Sequence, residues 1–430
     1  MALVRLDRSP ADAPFVFGVF MQSLLLRAAA LAATLLPYLV EAAPLTLETA
    51  LDLAVKRSDM ARAVRAGVTS ASETARAAGQ LPDPTLRAGI ENLPVTGADR
   101  FSTTRDPMTM KRIGISQEWL SGEKRAARQA SANALVAREG VQARGAEAET
   151  RLNTALAYLD AYYAGEALKL TTLMEHHAHE EFEAARARLA SSTGSSQEAL
   201  ALTGARGLAE DESAEVRQLQ SAAQVALQRW VGTDADELAP VAPFPLPTEQ
   251  AYVAAHPAVL AKQFDIDVAT RAAAVAASER KPNWTWEVSY GQRTGYSDMA
   301  TFGVSIPLQV APSERQDRET AAKFALADKA EAELGEATRT ATAEYRALAS
   351  DSKRLRERIE RYSAGVVTPA LQRTAVATAA YRSNQGTLLT LFEARHAEVD
   401  AQRKLLSLQR DLAKAQAQLA FKPLAPGAAQ

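Results

Sequence analysis

The chain is 430 residues long, carries 49 basic and 51 acidic residues for a net charge of -2, and contains no cysteine. The near-balance gives no bulk attraction to nucleic acid or anionic lipid, and the missing cysteine excludes disulfides, thiolate metal sites, cysteine nucleophiles and an N-terminal lipidated cysteine. Aromatic residues are only 6 % while alanine dominates several stretches, which points to extended helix-on-helix packing rather than one thick globular core.

In chain order, the first feature is a largely apolar run from Leu24 to Val40, interrupted by Arg27 and Pro37 and followed by Val40-Glu41-Ala42. Small residues at the two positions a signal peptidase reads mark 1–42 as a secretory signal cleaved near Ala42, set against a membrane-spanning helix, for which the run is short and broken. Asp7 and Asp12 do not suit an n-region, which makes Met21 the alternative start. Beyond residue 45 no window is long and apolar enough for a spanning helix, so any membrane crossing by the mature chain must use strands.

Two repeats follow, 43–231 and 248–422, joined by a connector at 232–247 that carries Pro240, Pro243, Pro245 and Pro247. The remainder, 423–430, reads as a flexible tail. The duplication is plainest where Ile113-Gly114-Ile115-Ser116 returns as Phe302-Gly303-Val304-Ser305, roughly 189 positions later. The first repeat opens with an amphipathic helix behind Thr46 as N-cap, with Leu47, Ala50, Leu51 and Ala54 at helical spacing, running to about Gly79. Pro82 and Pro84 end it. The second repeat copies this order with a helical stretch over 248–279, broken at Lys281-Pro282-Asn283.

Strand patterns come next in both repeats. Trp284, Trp286, Val288 and Tyr290 alternate with polar residues, and Phe302, Val304, Ile306 and Leu308 alternate with Thr301, Gly303, Ser305 and Pro307. The first repeat has Leu86, Ala88 and Ile90, then Ile113, Ile115 and Trp119. Stretches 94–107 and 293–298 read as hairpin loops. Such alternation fits a soluble sheet with one buried face, and it also fits a transmembrane barrel whose apolar face meets lipid. The secretory signal, strands of about 8 to 10 residues and a girdle-like Trp284, Trp286 and Tyr290 favour the barrel. Four strands cannot close one, since membrane barrels need about eight, so subunits must pool their strands.

Long helical patterns cover about 124–190 and 314–383, each roughly 100 Å if continuous. Polar segments at 190–196 and 382–387 turn the chain back into returning helices over 197–231 and 388–421, so each repeat ends in a long antiparallel hairpin. Pro369, preceded by Gly365, predicts a kink in the second long helix alone. No phosphate-binding glycine loop, dinucleotide fingerprint or His-Glu-x-x-His helix is present, and an enzyme is not expected.

Over residues 45–422 these features together resemble the TolC-like outer-membrane factors. Gly114-Ile115-Ser116-Gln117, Gly122-Glu123-Lys124-Arg125 and Arg229-Trp230-Val231-Gly232 are similar to the heavy-metal and cation efflux branch. The resemblance implies a mainly α fold with a small β part, in which three chains form a twelve-stranded outer-membrane β-barrel continued by a periplasmic α-helical barrel. It also implies a homotrimer in contact with outer-membrane lipid, docked on a periplasmic adaptor protein and an inner-membrane resistance-nodulation-division pump, with no cofactor. The family's second tip commonly reads tyrosine, two residues, glycine; this chain has Tyr381-Arg382-Ser383-Asn384.

The candidate lipid-facing residues are Ile113, Ile115, Trp284, Trp286, Val288, Tyr290, Phe302, Val304 and Ile306. At the tips, rings of polar or charged side chains would set gating and ion preference. The candidates there are Ser195, Ser196, Gln197 and Glu198 in the first hairpin, and Arg382, Asn384, Gln385, Gly386, Glu393 and Arg395 in the second. His176, His179 and Glu180 share one helix face and are the candidate metal ligands, set against a plain solvated face. His256 and His396 read as packing or surface residues. Two other function classes stand beside the channel: a type I secretion exit duct, and a periplasmic helical adaptor or scaffold.

Overall fold

The structure, a computed structural model, describes residues 44–235 and 237–424. The secretory signal read in 1–42 and most of the tail read at 423–430 lie outside the described residues. Where the sequence predicts one helix over 46–79, two occur: α1 (Leu47–Arg57) and α2 (Asp59–Ala78). Thr46 caps α1 as expected, its hydroxyl accepting the Thr49 N–H at 3.2 Å. Ser58 then leaves the helical region at ψ 113° and accepts the Ala61 N–H at 3.1 Å, so one serine ends α1 and starts α2.

The two strands of the first repeat are β1 (Thr85–Glu91) and β2 (Met110–Trp119). The hairpin α3 (Gly122–Ala190) and α4 (Ser196–Val231) follows. At 69 residues, α3 is about 100 Å long. In the second repeat, the stretch over 248–279 again divides, into α5 (Glu249–Ala254) and α6 (Pro257–Ser278). Pro257 cannot donate to a preceding turn, and the His256 Nδ1 instead caps α6 by accepting the Ala258 N–H at 3.3 Å. Then come β3 (Trp284–Gln292), β4 (Met299–Ser305) and α7 (Gln316–Tyr362). A π turn at Ser363–Val367 leads into α8 (Thr368–Arg382), and α9 (Leu388–Phe421) returns. The π turn sits where Gly365 and Pro369 predict an interruption: Pro369 has no N–H to give, and widening the helix by one residue absorbs the missing bond. Ile306, expected inside the last strand, lies one residue past β4.

Small side chains let these helices approach. Ala155, Ala161, Ala178 and Ala185 of α3 are buried, and Met174, Ala178 and Ala185 form a cluster with Leu202, Ala205 and Ala209 of α4 and Phe392 and Val399 of α9. Helix α2 runs antiparallel beside the start of α3, with Gln129 donating to the Ala75 carbonyl at 2.7 Å and Arg65 paired with Glu147 at 2.9 Å. At mid-length a collar wraps the bundle. Tyr158, fully buried, donates bifurcated bonds to the Leu45 and Ala239 carbonyls at 2.6 and 2.8 Å, tying the N-terminal segment to the connector. Leu45 and Leu238 form a parallel bridge there. Burial pushes the Tyr158 phenol up to about 12. Leu424, which the sequence assigns to the flexible tail, is buried with Val141, Ala148 and Phe264, and its N–H reaches the Ala255 carbonyl at 2.8 Å.

Candidate channel wall and hairpin tips

The four strands form one antiparallel sheet in the order β1-β2-β3-β4, so sequence neighbours pair and β1 and β4 are its two edges. The registers Leu86↔Ile115, Ile115↔Val288 and Val288↔Phe302 carry one row of apolar side chains straight across the sheet. With period two, Ile113, Tyr290, Trp284, Trp286 and Val304 fall on that same face. It is exposed: Leu86 is 70 % and Phe302 79 % accessible. Trp119 and Trp284 pair across the strands with ring centroids 5.9 Å apart. Tyr290 stands at the other end of β3, six residues or about 20 Å away.

The opposite face is polar. Arg112 pairs with Glu91 at 2.5 Å and with Glu287 at 3.1 Å, and its Nε donates to Ser289 at 2.7 Å, so three strands share one charge-compensated network. Gly114 belongs to this face, and its lack of a side chain is structural: a Cβ there would lie 2.6 Å from that of Ser289. The sequence reading missed this network. The same alternation that exposes Ile113 and Ile115 places Arg112 with Gly114 and Ser116, and that is the signal that finds it.

Where sheet meets helices, Lys124 is buried at 2 % side-chain accessibility and donates to Glu279 at 2.8 Å and to Asn283 at 2.6 Å. Arg128 holds the other Glu279 oxygen at 2.9 Å. Burial alone would raise the Glu279 carboxyl, but the Lys124 and Arg128 hydrogen bonds outweigh it and hold it below the usual range.

The two tips are the same turn. Ser192 and Asn384 both adopt left-handed backbone, at φ 60° and 57°. Two N–H groups then return to one carbonyl in each: Thr193 and Gly194 to Arg188, Gln385 and Gly386 to Ala380. Asn384 thus supplies the left-handed residue of the second tip. Ser195 and Thr387 cap the returning helices, accepting N–H bonds from Glu198 and Thr390 at 3.1 Å each. Ser196, Gln197, Arg382, Gln385 and Glu393 are exposed, whereas Glu198 reaches between hairpins and accepts the Leu388 N–H at 3.1 Å.

Arg395 does not pair with Glu393 on its own helix. It turns inward to Glu181 on α3 at 2.6 Å, because residues two apart on a helix point in different directions. Glu181 is only 4 % accessible, and burial lifts its carboxyl to about 7 against the opposing pull of Arg395.

The histidine cluster is arranged differently from expectation. Glu180 meets His176 and His177, each at 3.3 Å, and His179, exposed, does not join them, being adjacent in sequence to Glu180 rather than a turn away. His177 and His176 hold Glu180 below the usual carboxylate range. Among the described residues, three groups that could hold a metal ion converge elsewhere, at Glu212, His396 and Asp400. His396, read from the sequence as a packing or surface residue, stacks on Phe392 with ring centroids 5.7 Å apart and also faces these two carboxylates. Among the described residues no helix is long and apolar enough to cross a membrane.

An open four-stranded sheet with one bare apolar face leads into two long helical hairpins, a fold that solved outer-membrane proteins have. The chain superposes on the outer membrane protein VceC from Vibrio cholerae with a TM-score of 0.70 at 17 % identity, covering 88 % of this chain and 96 % of that one. CusC, described in terms of conformational changes accompanying folding and transmembrane channel formation, gives 0.73 at 14 % identity over 87 % and 91 %. The Campylobacter jejuni CmeC outer membrane channel gives 0.72 at 13 % identity over 89 % and 87 %. No protein-family model and no curated protein matches the chain.

Proposed function

We propose that this chain is one third of an outer-membrane exit duct, a homotrimer in which twelve strands close a barrel and the helical hairpins continue it as a tunnel through the periplasm. The observation that carries this reading is the sheet: an exposed apolar face, a polar face and two unpaired edges. An isolated soluble sheet with such a face would associate through it, whereas a bilayer accepts that face as it stands and neighbouring chains satisfy the edges. On this reading Ile113, Ile115, Val288, Tyr290, Phe302 and Val304 face lipid, while Arg112, Gly114, Ser116 and Glu287 line the lumen.

The tips form the periplasmic entrance, where the exposed Gln197, Arg382 and Gln385 approach the trimer axis and a periplasmic adaptor docks. The adaptor links the duct to an inner-membrane resistance-nodulation-division pump, which supplies the energy. The motifs shared with the cation-efflux branch favour heavy-metal cations as cargo over hydrophobic drugs. Fractionation tests the channel: the protein should stay with outer membranes through salt washes and leave them only with detergent, and release by salt would favour the soluble adaptor. Deleting the gene tests the cargo. Tolerance to copper, silver or divalent cations should fall, and unchanged metal tolerance would remove the metal reading while leaving the duct.

A further inference from the structure

We infer that Glu212, His396 and Asp400 form a binding site for one first-row divalent cation of the zinc class, built between the two hairpins and separate from any exported cargo. The three come from two helices, Glu212 from α4 and the i, i+4 pair His396 and Asp400 from α9. The His396 Nε2 stands 3.6 Å from Glu212 Oε1 and 3.5 Å from Asp400 Oδ2, and all three ligand atoms lie within 4.8 Å of one another. These separations are long for hydrogen bonds. They are close to the edge of a tetrahedral zinc site, about 3.4 Å for metal–ligand bonds near 2.1 Å. One imidazole and two carboxylates suit zinc, cobalt or nickel, and offer too few oxygens for calcium.

The surroundings divide the carboxylates in a useful way. Arg403 approaches Glu212 Oε2 and Asp400 Oδ1, each at 3.8 Å, which are the oxygens turned away from His396. It can steady both carboxylates from behind while Oε1 and Oδ2 remain for the cation. With His396 neutral, two carboxylates and one guanidinium leave a net charge of -1 that a divalent ion would compensate. Glu212 is mostly buried, which raises the cost of leaving that charge uncompensated. The ring is oriented by a parallel stack on Phe392, centroids 5.7 Å apart, and its enclosed Nδ1 has no hydrogen-bond partner, so the stack rather than a second hydrogen bond holds the ring. Asp400 and Arg403 also line a cleft of about 880 Å³ between α3, α4 and α9, which supplies an entry path. The ion would staple α4 to α9.

The test uses the purified full-length protein, demetallated and titrated with zinc alone by calorimetry, with cobalt absorption as a second readout of tetrahedral coordination. The expected result is one ion per chain, with His396→Ala and Glu212→Gln each lowering affinity about tenfold or more. His176→Ala, in the other histidine cluster, should leave binding unchanged. Arg403→Met separates a metal site from a plain ion-pair cluster: it should preserve one ion per chain. Absence of stoichiometric binding by the folded wild-type protein, or equal affinity in His396→Ala, would overturn the site.

Discussion

Glu181 on α3 and Arg395 on α9 join the two hairpins of one protomer through a 2.6 Å ion pair whose acid is almost wholly enclosed. One carboxylate oxygen of Glu181 has no partner in that enclosure. A carboxyl at about 7 when folded and 4.5 ordinarily binds its proton more tightly in the native state. Its contribution to stability is therefore fully present below 4.5 and declines as the pH rises toward 7. Glu181→Gln should flatten that part of the stability profile, measured by thermal unfolding at pH 5, 6 and 7.5. An unchanged profile would remove Glu181 as the titrating group.

Arg395→Met should carry a pH-dependent cost. At pH 5 Glu181 can stay protonated and the loss is small. At pH 8 the acid must remain charged without a partner or take up a proton, and the destabilisation should approach the ~3 kcal/mol typical of a broken buried pair. Equal costs at both pH values would contradict the assignment.

The buried Lys124 should act in the opposite sense of pH. Because Lys124 and Arg128 hold Glu279 below its ordinary 4.5, their stabilisation is present above 4.5 and is lost as the pH falls through the lowered folded value. Lys124→Met should reduce stability at pH 7 by about 1–3 kcal/mol and narrow the gap between pH 7 and acid, leaving Arg128 as the remaining partner. Chemical denaturation at two pH values reads this directly.

Much of the fold was legible in the sequence because it rests on periodicity. Strict alternation in Trp284 to Tyr290 and in Phe302 to Val304 told which face of the sheet is apolar, and Pro369 with Gly365 marked an interruption of the long helix, though not that it takes the form of a π turn. The helix break at Ser58 was hidden, since the apolar spacing continues across it and only its cap bond marks the new start, whereas the break at His256 carried a visible signal in Pro257 that the continuing apolar spacing masked. The site residues were less legible for a different reason. Glu181 with Arg395, and Glu212 with His396, are contacts between helices far apart in sequence, which a single-helix pattern such as His176 to Glu180 does not reveal.

The two faces of the sheet should respond unequally to charge. Val288→Arg, on the proposed lipid face, should cost about 2–4 kcal/mol if it lies near the bilayer midplane and should cut the amount of assembled protein in the outer membrane. Thr301→Lys, on the proposed lumen face, should assemble normally. Similar assembly of both variants would argue against the bilayer placement of this sheet.

Tip geometry gives a local test. Asn384→Gly should be tolerated or slightly stabilising, because φ 57° carries no steric cost for glycine. Asn384→Val should destabilise by ~1 kcal/mol or more, as a β-branched residue resists that conformation. Thermal unfolding of the two variants should bracket the wild type.

The central claim is that three open sheets close through their β1 and β4 edges, and the absence of native cysteine makes it directly measurable. Arg87→Cys on β1, combined in turn with Thr301→Cys, Gly303→Cys or Ser305→Cys on β4, should under mild oxidation in native membranes give covalent dimers and trimers for at least one pairing. The ladder should end at three chains. A ladder that continues past trimer, or products confined to monomer in every pairing, would contradict the closed barrel.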